Sequence, residues 1–76
     1  MTKIVPGTQS FSRSIAVLQA ISDYSSPPTA ADLLTGCGLS RPTLFRILAS
    51  LEAEGLVTKS SDGGYLPGTR LVRLAR

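Results

Sequence analysis

Between two amphipathic segments the chain has room only for Gly36-Cys37-Gly38 before Leu39 and a fresh helix start at Ser40. Ahead of that break, Thr29 with Asp32 three residues on is a capping-box pattern, which predicts a short helix over residues 30–36. Behind it, Ser40 is an N-cap and Pro42 sits in the first turn, where a missing N–H has no helical partner to lose. A helix is therefore predicted over residues 41–54, stopped by Gly55. Neither glycine extends a helix comfortably, and two helices joined by so tight a turn have to cross steeply.

A crossing pair alone cannot enclose a core, so the flanking segments must supply the rest of it. Ser10 reads as an N-cap, with Phe11, Ser14, Ile15, Val17, Leu18 and Ile21 on one broad side of a helix reaching about residue 24. That side is wider than one core contact needs. Burial against two neighbours in the same domain is the favoured account, and contact with a second subunit is the other. In the helix over residues 41–54, Leu44, Ile47, Leu48 and Leu51 fall within about 100°, the spacing of a single core-facing stripe. The segment after Gly55 alternates loosely, breaks at Ser-Asp-Gly-Gly and resumes at Tyr65, which predicts a β-hairpin. In residues 69–76, Leu71, Val72 and Ala75 stand against Arg70, Arg73 and Arg76, as at the start of another amphipathic helix. The expected class is mainly α with a small β-hairpin: a winged helix-turn-helix with a three-helix core, a wing and the start of a linker helix.

A chain of 76 residues with 42% apolar content closes one small core. The lone Cys37 and the lack of histidine exclude an internal disulfide and a zinc site, so no metal or other cofactor is expected. Helix packing, association, or both must stabilise the domain. A single unpaired cysteine, no signal-like N-terminus and no run near 18 apolar residues point to the cytoplasm, with no membrane partner. No nucleophile and base, P-loop or paired carboxylates in an evident pocket are recognisable, so an enzyme is not expected. Cys37 reads as a small buried filler.

The net charge of +3 and pI near 9.6 suit a nucleic-acid partner without proving one, so placement has to decide. Opposite the apolar stripe of the third helix lie Pro42, Thr43, Arg46, Ala49 and Ser50, a small, polar and basic face. Small residues let a helix sit deep in a groove, and Arg46 carries the planar fork that fits guanine O6 and N7 or a phosphate. Its neighbours at three and four residues are Pro42, Thr43, Ala49 and Ser50, so no intrahelical carboxylate accounts for it. A tertiary ion pair with Glu52, Glu54 or Asp62 is the alternative. Arg13 and Arg41 also lack an intrahelical acid. Free N–H groups of Arg41 and Thr43, capped by Ser40, suit a phosphate. Lys59 and the tip over residues 60–64 either reach the DNA backbone or form a plain exposed turn, and Asp62 there would repel phosphate. Phe45 lies sideways on the helix; packing beside the first helix is favoured over contact with a thymine methyl.

The run from Ser10 through Arg13 and Leu18, then "ADLLTGCGLSRPTLFRILASLEAEGLV" and "YLPGTRLVRLAR", resembles the N-terminal DNA-binding domain of IclR-type bacterial transcriptional regulators. Gly-Leu-Ser-x-x-Thr-x-x-Arg-x-Leu followed by Leu-Glu-x-x-Gly carries the likeness, which covers residues 9–76. The resemblance implies a homodimer or higher oligomer on palindromic double-stranded DNA operators, and a C-terminal domain that senses a small-molecule effector. By the same likeness Thr43 and Arg46 match recognition-helix positions and Arg13 a basic position on the first helix. Tyr65 and Gly68 match the end of the wing. Leu34 departs from it, standing where the family usually has a small residue at the helix crossing.

These readings divide the chain into a leader over residues 1–9, a DNA-binding domain over residues 10–68, and the start of a linker helix over residues 69–76 that leads to an absent C-terminal domain. The residues expected to meet DNA are Arg13, Ser40, Arg41, Pro42, Thr43, Arg46, Ser50 and Lys59. The rival expectation is a winged-helix protein interaction or dimerisation module that never touches DNA.

Overall fold

The computed structural model describes residues 8–76. The element order is α1 (Gln9–Asp23), α2 (Ala30–Cys37), α3 (Arg41–Ala53), β1 (Val57–Lys59), β2 (Tyr65–Pro67) and α4 (Thr69–Leu74). Most of the leader expected over residues 1–9 lies outside the described residues, and Gln9 already belongs to α1.

Ser10 is not the cap of the first helix. Thr8 holds the N-cap position, without a side-chain capping bond, and Ser10 lies in the first turn, where its carbonyl accepts the Ser14 hydroxyl at 2.9 Å. No helix-breaking residue separates Thr8 from Phe11, so the turn needed ahead of the apolar residues starts earlier. Tyr24 ends α1 in an extended conformation, and its hydroxyl donates to the Asp32 carbonyl at 3.1 Å, joining the end of α1 to α2.

The helix-turn-helix forms as the local chemistry dictates. Thr29 Oγ1 accepts the Asp32 N–H at 3.2 Å while Asp32 Oδ2 accepts the Thr29 N–H at 3.0 Å, completing the capping box. Gly38 closes α2 with φ of +67°, in the left-handed region that a side chain disfavours. Ser40 then caps α3 by accepting the Thr43 N–H at 3.4 Å, with proline in the first turn.

The core is Val17 and Ile21 of α1, Leu33 of α2, Leu44, Ile47, Leu48 and Leu51 of α3, and Val57 and Tyr65 of the hairpin. Each fully buried aliphatic side chain there contributes about 1.5–3 kcal/mol. The α3 stripe is buried in full, whereas the broad side of α1 is not: Phe11 is 68% and Ile15 47% exposed. Burial within the domain therefore covers only the C-terminal half of that face. Leu34 is half-buried against the core, so the helix crossing accepts the larger side chain.

The hairpin is antiparallel, pairing Val57 with Pro67, Thr58 with Leu66 and Lys59 with Tyr65. It is tied at two points to the segments that join the helices to it and to each other. The Tyr65 N–H donates to the Pro28 carbonyl at 2.8 Å, and the Gly68 N–H to the Leu56 carbonyl at 2.8 Å. A Cβ on Gly68 would lie 2.2 Å from the Gly55 carbonyl oxygen, so only glycine allows the base of the wing to close on the end of α3. Three helices and a two-stranded wing, followed by α4, make this a winged helix-turn-helix.

Candidate nucleic-acid interface

Periodicity places Thr43, Arg46 and Ser50 off the buried stripe of α3, and the packing of α1 decides what stands opposite them. Ser10, Arg13 and Ser14 of α1 meet Thr43, Arg46, Ile47 and Ser50 of α3 around an open cleft of about 270 Å³. Two guanidinium groups and four hydroxyl groups line it without a carboxylate. Among the described residues neither Arg13 nor Arg46 has an ion-pair partner: the recorded pair is Arg70 with Glu54. A cleft walled by cations and hydroxyl donors, with no acid to neutralise it, fits phosphate and the acceptor-bearing edges of bases.

Ser40, Arg41 and Pro42 do not line this cleft but stand at the N-terminus of α3. Ser40 and Thr43 are linked by a hydroxyl–hydroxyl bond of 2.9 Å at the α3 N-terminus. Arg41 and Pro42 occupy the same first turn, both exposed. The Arg41 guanidinium stands over the Phe45 ring, 5.9 Å from its centroid. Phe45 does not fill a gap beside α1, as its spacing suggested, but is 40% exposed. Thr43, Ile47 and Ser50 hold the edge of α3 that faces α1, and Phe45 lies on the opposite flank.

Lys59 stands apart, on the wing. Its ammonium lies 5.8 Å above the Tyr65 ring, and its side chain is exposed. Asp62 at the tip turns inward: its carboxylate accepts the Ser60 hydroxyl and, at 3.2 Å, the Gly64 N–H. These hydrogen bonds hold its carboxyl below the usual carboxylate range. The charge expected to repel phosphate is thus partly satisfied inside the turn.

Ser10 and Ser14 are cleft residues that the sequence reading assigned elsewhere. Their spacing with Arg13 and Val17 is the signal that places them, because residues at three and four apart share one stripe. The stripe is apolar at Val17 and Ile21, which are buried in the core, and polar at Ser10, Arg13 and Ser14, which line the cleft. Cys37 is half-buried against the core, and burial pushes its thiol up from the ordinary value, which opposes nucleophilic use. Among the described residues no helix is long and apolar enough to cross a membrane.

Residues 10–61 match the family model of the IclR helix-turn-helix domain. Among curated proteins no match was found. Of the solved structures, the repressor BlcR of Agobacterium tumefaciens is similar with a TM-score of 0.81 and 22% identity, covering 93% of this chain and 29% of that one. An IclR-family protein from Rhodococcus sp. has a TM-score of 0.80 and 28% identity, covering 100% of this chain and 31% of the other. An IclR homologue from Microbacterium hydrocarbonoxydans, solved in complex with 4-hydroxybenzoate, has a TM-score of 0.78 and 24% identity, over 87% and 28% of the two chains. The chain therefore spans less than a third of the length of each.

Proposed function

The chain belongs to the IclR helix-turn-helix family, a DNA-binding regulatory domain, and from that premise we propose that it reads a half-site of a palindromic operator in double-stranded DNA. In this reading α3 enters the major groove and the wing lies along the backbone. Thr43, Arg46 and Ser50 face base edges. Ser40, Arg41 and Pro42 present the first turn of α3 to a phosphate. Arg13 and Lys59 hold the register through backbone contacts that carry no sequence information.

The observation that carries the reading is the cleft between α1 and α3, which brings Arg13 and Arg46 together with four hydroxyl groups and no acid. Two cations lining one cleft repel each other, and a chain tolerates them at low cost where solvent or an anion screens them. A DNA backbone supplies one negative charge per roughly 1.7 Å of helix axis, which suits such a cleft.

Regulation belongs outside these residues in the same proposal. The Microbacterium homologue was solved with a small aromatic acid bound, and by analogy a small-molecule effector acts on a C-terminal domain joined through α4. A dimer or higher oligomer of the full-length regulator accounts for the exposed Phe11 and Ile15, and the cytoplasm is its compartment. No enzymatic step is assigned to it.

Selection of bound duplexes from a random pool, followed by titration across a salt series, tests the reading. A shared motif and an affinity that falls steeply with salt are expected. Salt-independent, motif-free behaviour would favour the protein interaction module instead.

A further inference from the structure

Phe45 is the one large apolar residue of α3 that the core leaves out, and its surroundings say what it is for. It lies about 100° around the helix axis from Arg46, on the flank opposite Thr43 and Ser50. Those two residues line the cleft against α1, so the exposed surface of α3 has a hydroxyl-bearing edge and an aromatic edge. The Phe45 ring is 40% exposed and sits under the Arg41 guanidinium, at a separation where the negative face of the ring attracts a cation. Arg41 has no ion pair among the described residues, so the ring orders a side chain that is otherwise free to sweep a wide arc.

An exposed ring on such a helix calls for an apolar counterpart. Its surface neighbours at three and four residues are Arg41, Pro42 and Ala49, so on its own helix the ring stands beside a cation and two small residues and no other large exposed apolar side chain. In the major groove the base edges are hydrogen-bond donors and acceptors with a single apolar feature, the C5-methyl group of thymine. We propose that Phe45 is a specificity-determining residue that packs on a thymine methyl in the half-site, while Arg41 over the ring is steered to the adjacent phosphate. The inference rests on the reading of α3 as the groove-entering helix.

The test takes a duplex enriched from a random pool by this chain and replaces its thymines one at a time with uracil, which removes only the C5-methyl group. For the wild type, one replacement weakens binding about fourfold, the worth of one buried methyl group. With Phe45→Ala that same replacement is neutral, and Phe45→Leu retains part of the effect. The inference is overturned if every replacement is neutral for the wild type, or if the loss persists unchanged in Phe45→Ala. The uracil series on the wild type does not depend on the folding of any variant. If no duplex is enriched, the groove reading fails and this inference with it. If a duplex is enriched and Arg46→Ala weakens it while uracil does not, only the Phe45 assignment falls.

Discussion

Arg70 Nη1 lies 2.6 Å from Glu54 Oε1 and 3.2 Å from the Glu54 carbonyl oxygen, tying the first turn of α4 to the end of α3. Both side chains are more than half exposed, at 58% and 64%, so the pair itself is worth under about 1 kcal/mol. Its consequence lies in which cation it leaves alone. Glu54 was one of three acids able to neutralise Arg46 from a distance. It is taken by Arg70, and Asp62 is engaged by Ser60 and Gly64. Glu52 makes no ion pair among the described residues.

Arg46→Ala follows directly. With no partner inside the described residues to lose, the variant keeps its stability within about 0.5 kcal/mol, and loses about 1–3 kcal/mol of operator binding. Thermal melting and a titration at fixed salt measure the two quantities. Equal affinity for wild type and variant removes Arg46 from the reading face.

Lys59→Ala separates positioning from reading. The lysine projects from the wing over Tyr65, away from the α1–α3 cleft. Its loss is expected to weaken selected and random duplexes by the same factor and to lower the salt slope by about 1. A loss confined to the selected duplex would make it a base contact instead.

Gly68 and Gly38 answer to different constraints, and substitution tells them apart. At Gly68 a Cβ meets the Gly55 carbonyl oxygen at 2.2 Å and the Leu56 carbonyl carbon at 2.9 Å, while its φ of −82° suits any residue. At Gly38 the space is open and only the φ of +67° is at issue. Gly38→Ala costs about 1–2 kcal/mol, and Gly38→Asn recovers much of it because asparagine tolerates the left-handed region. Gly68→Ala forces backbone apart at a cost of about 1–3 kcal/mol or more, and Gly68→Asn recovers nothing. Urea unfolding of the four variants decides the matter; recovery at Gly68 would mean the wing can open.

Asp62 gives the wing an acid limit. Its carboxyl is held below the ordinary 3.8, first by the Ser60 hydroxyl and then by the Gly64 N–H. A lowered folded value means that the unfolded chain binds the proton more readily. The carboxylate's contribution is therefore present above pH 3.8 and lost as pH falls through the folded value. Carboxyl NMR should titrate Asp62 with a midpoint below 3.8, and Asp62→Asn should remove that pH dependence from the tip resonances. A midpoint at or above 3.8 contradicts the turn geometry.

Legibility followed the range of the interaction. The Thr29–Asp32 box, the Ser40 cap, the Gly38 turn and the Leu44/Ile47/Leu48/Leu51 stripe all depend on residues within about two helical turns, so their spacing in the chain already states the geometry. Phe45 was misread because a helical wheel assigns a direction and does not say on which flank the neighbouring helix packs. Ser10 was misread because capping preferences differ by little between neighbouring positions, and the chain before Phe11 offers two candidates.

From its residues alone this chain determined three helices, a hairpin, a tight turn between the second and third helices, and a basic outward face on the third helix. The tertiary structure decided that Ser10, Arg13 and Ser14 stand across a cleft from Thr43, Arg46 and Ser50, that Arg70 rather than Arg46 holds Glu54, and that Gly68 closes on Gly55. Helical periodicity fixes the side of a helix on which a residue lies. What faces that side depends on how elements far apart in sequence pack, and on the partners already taken when they do.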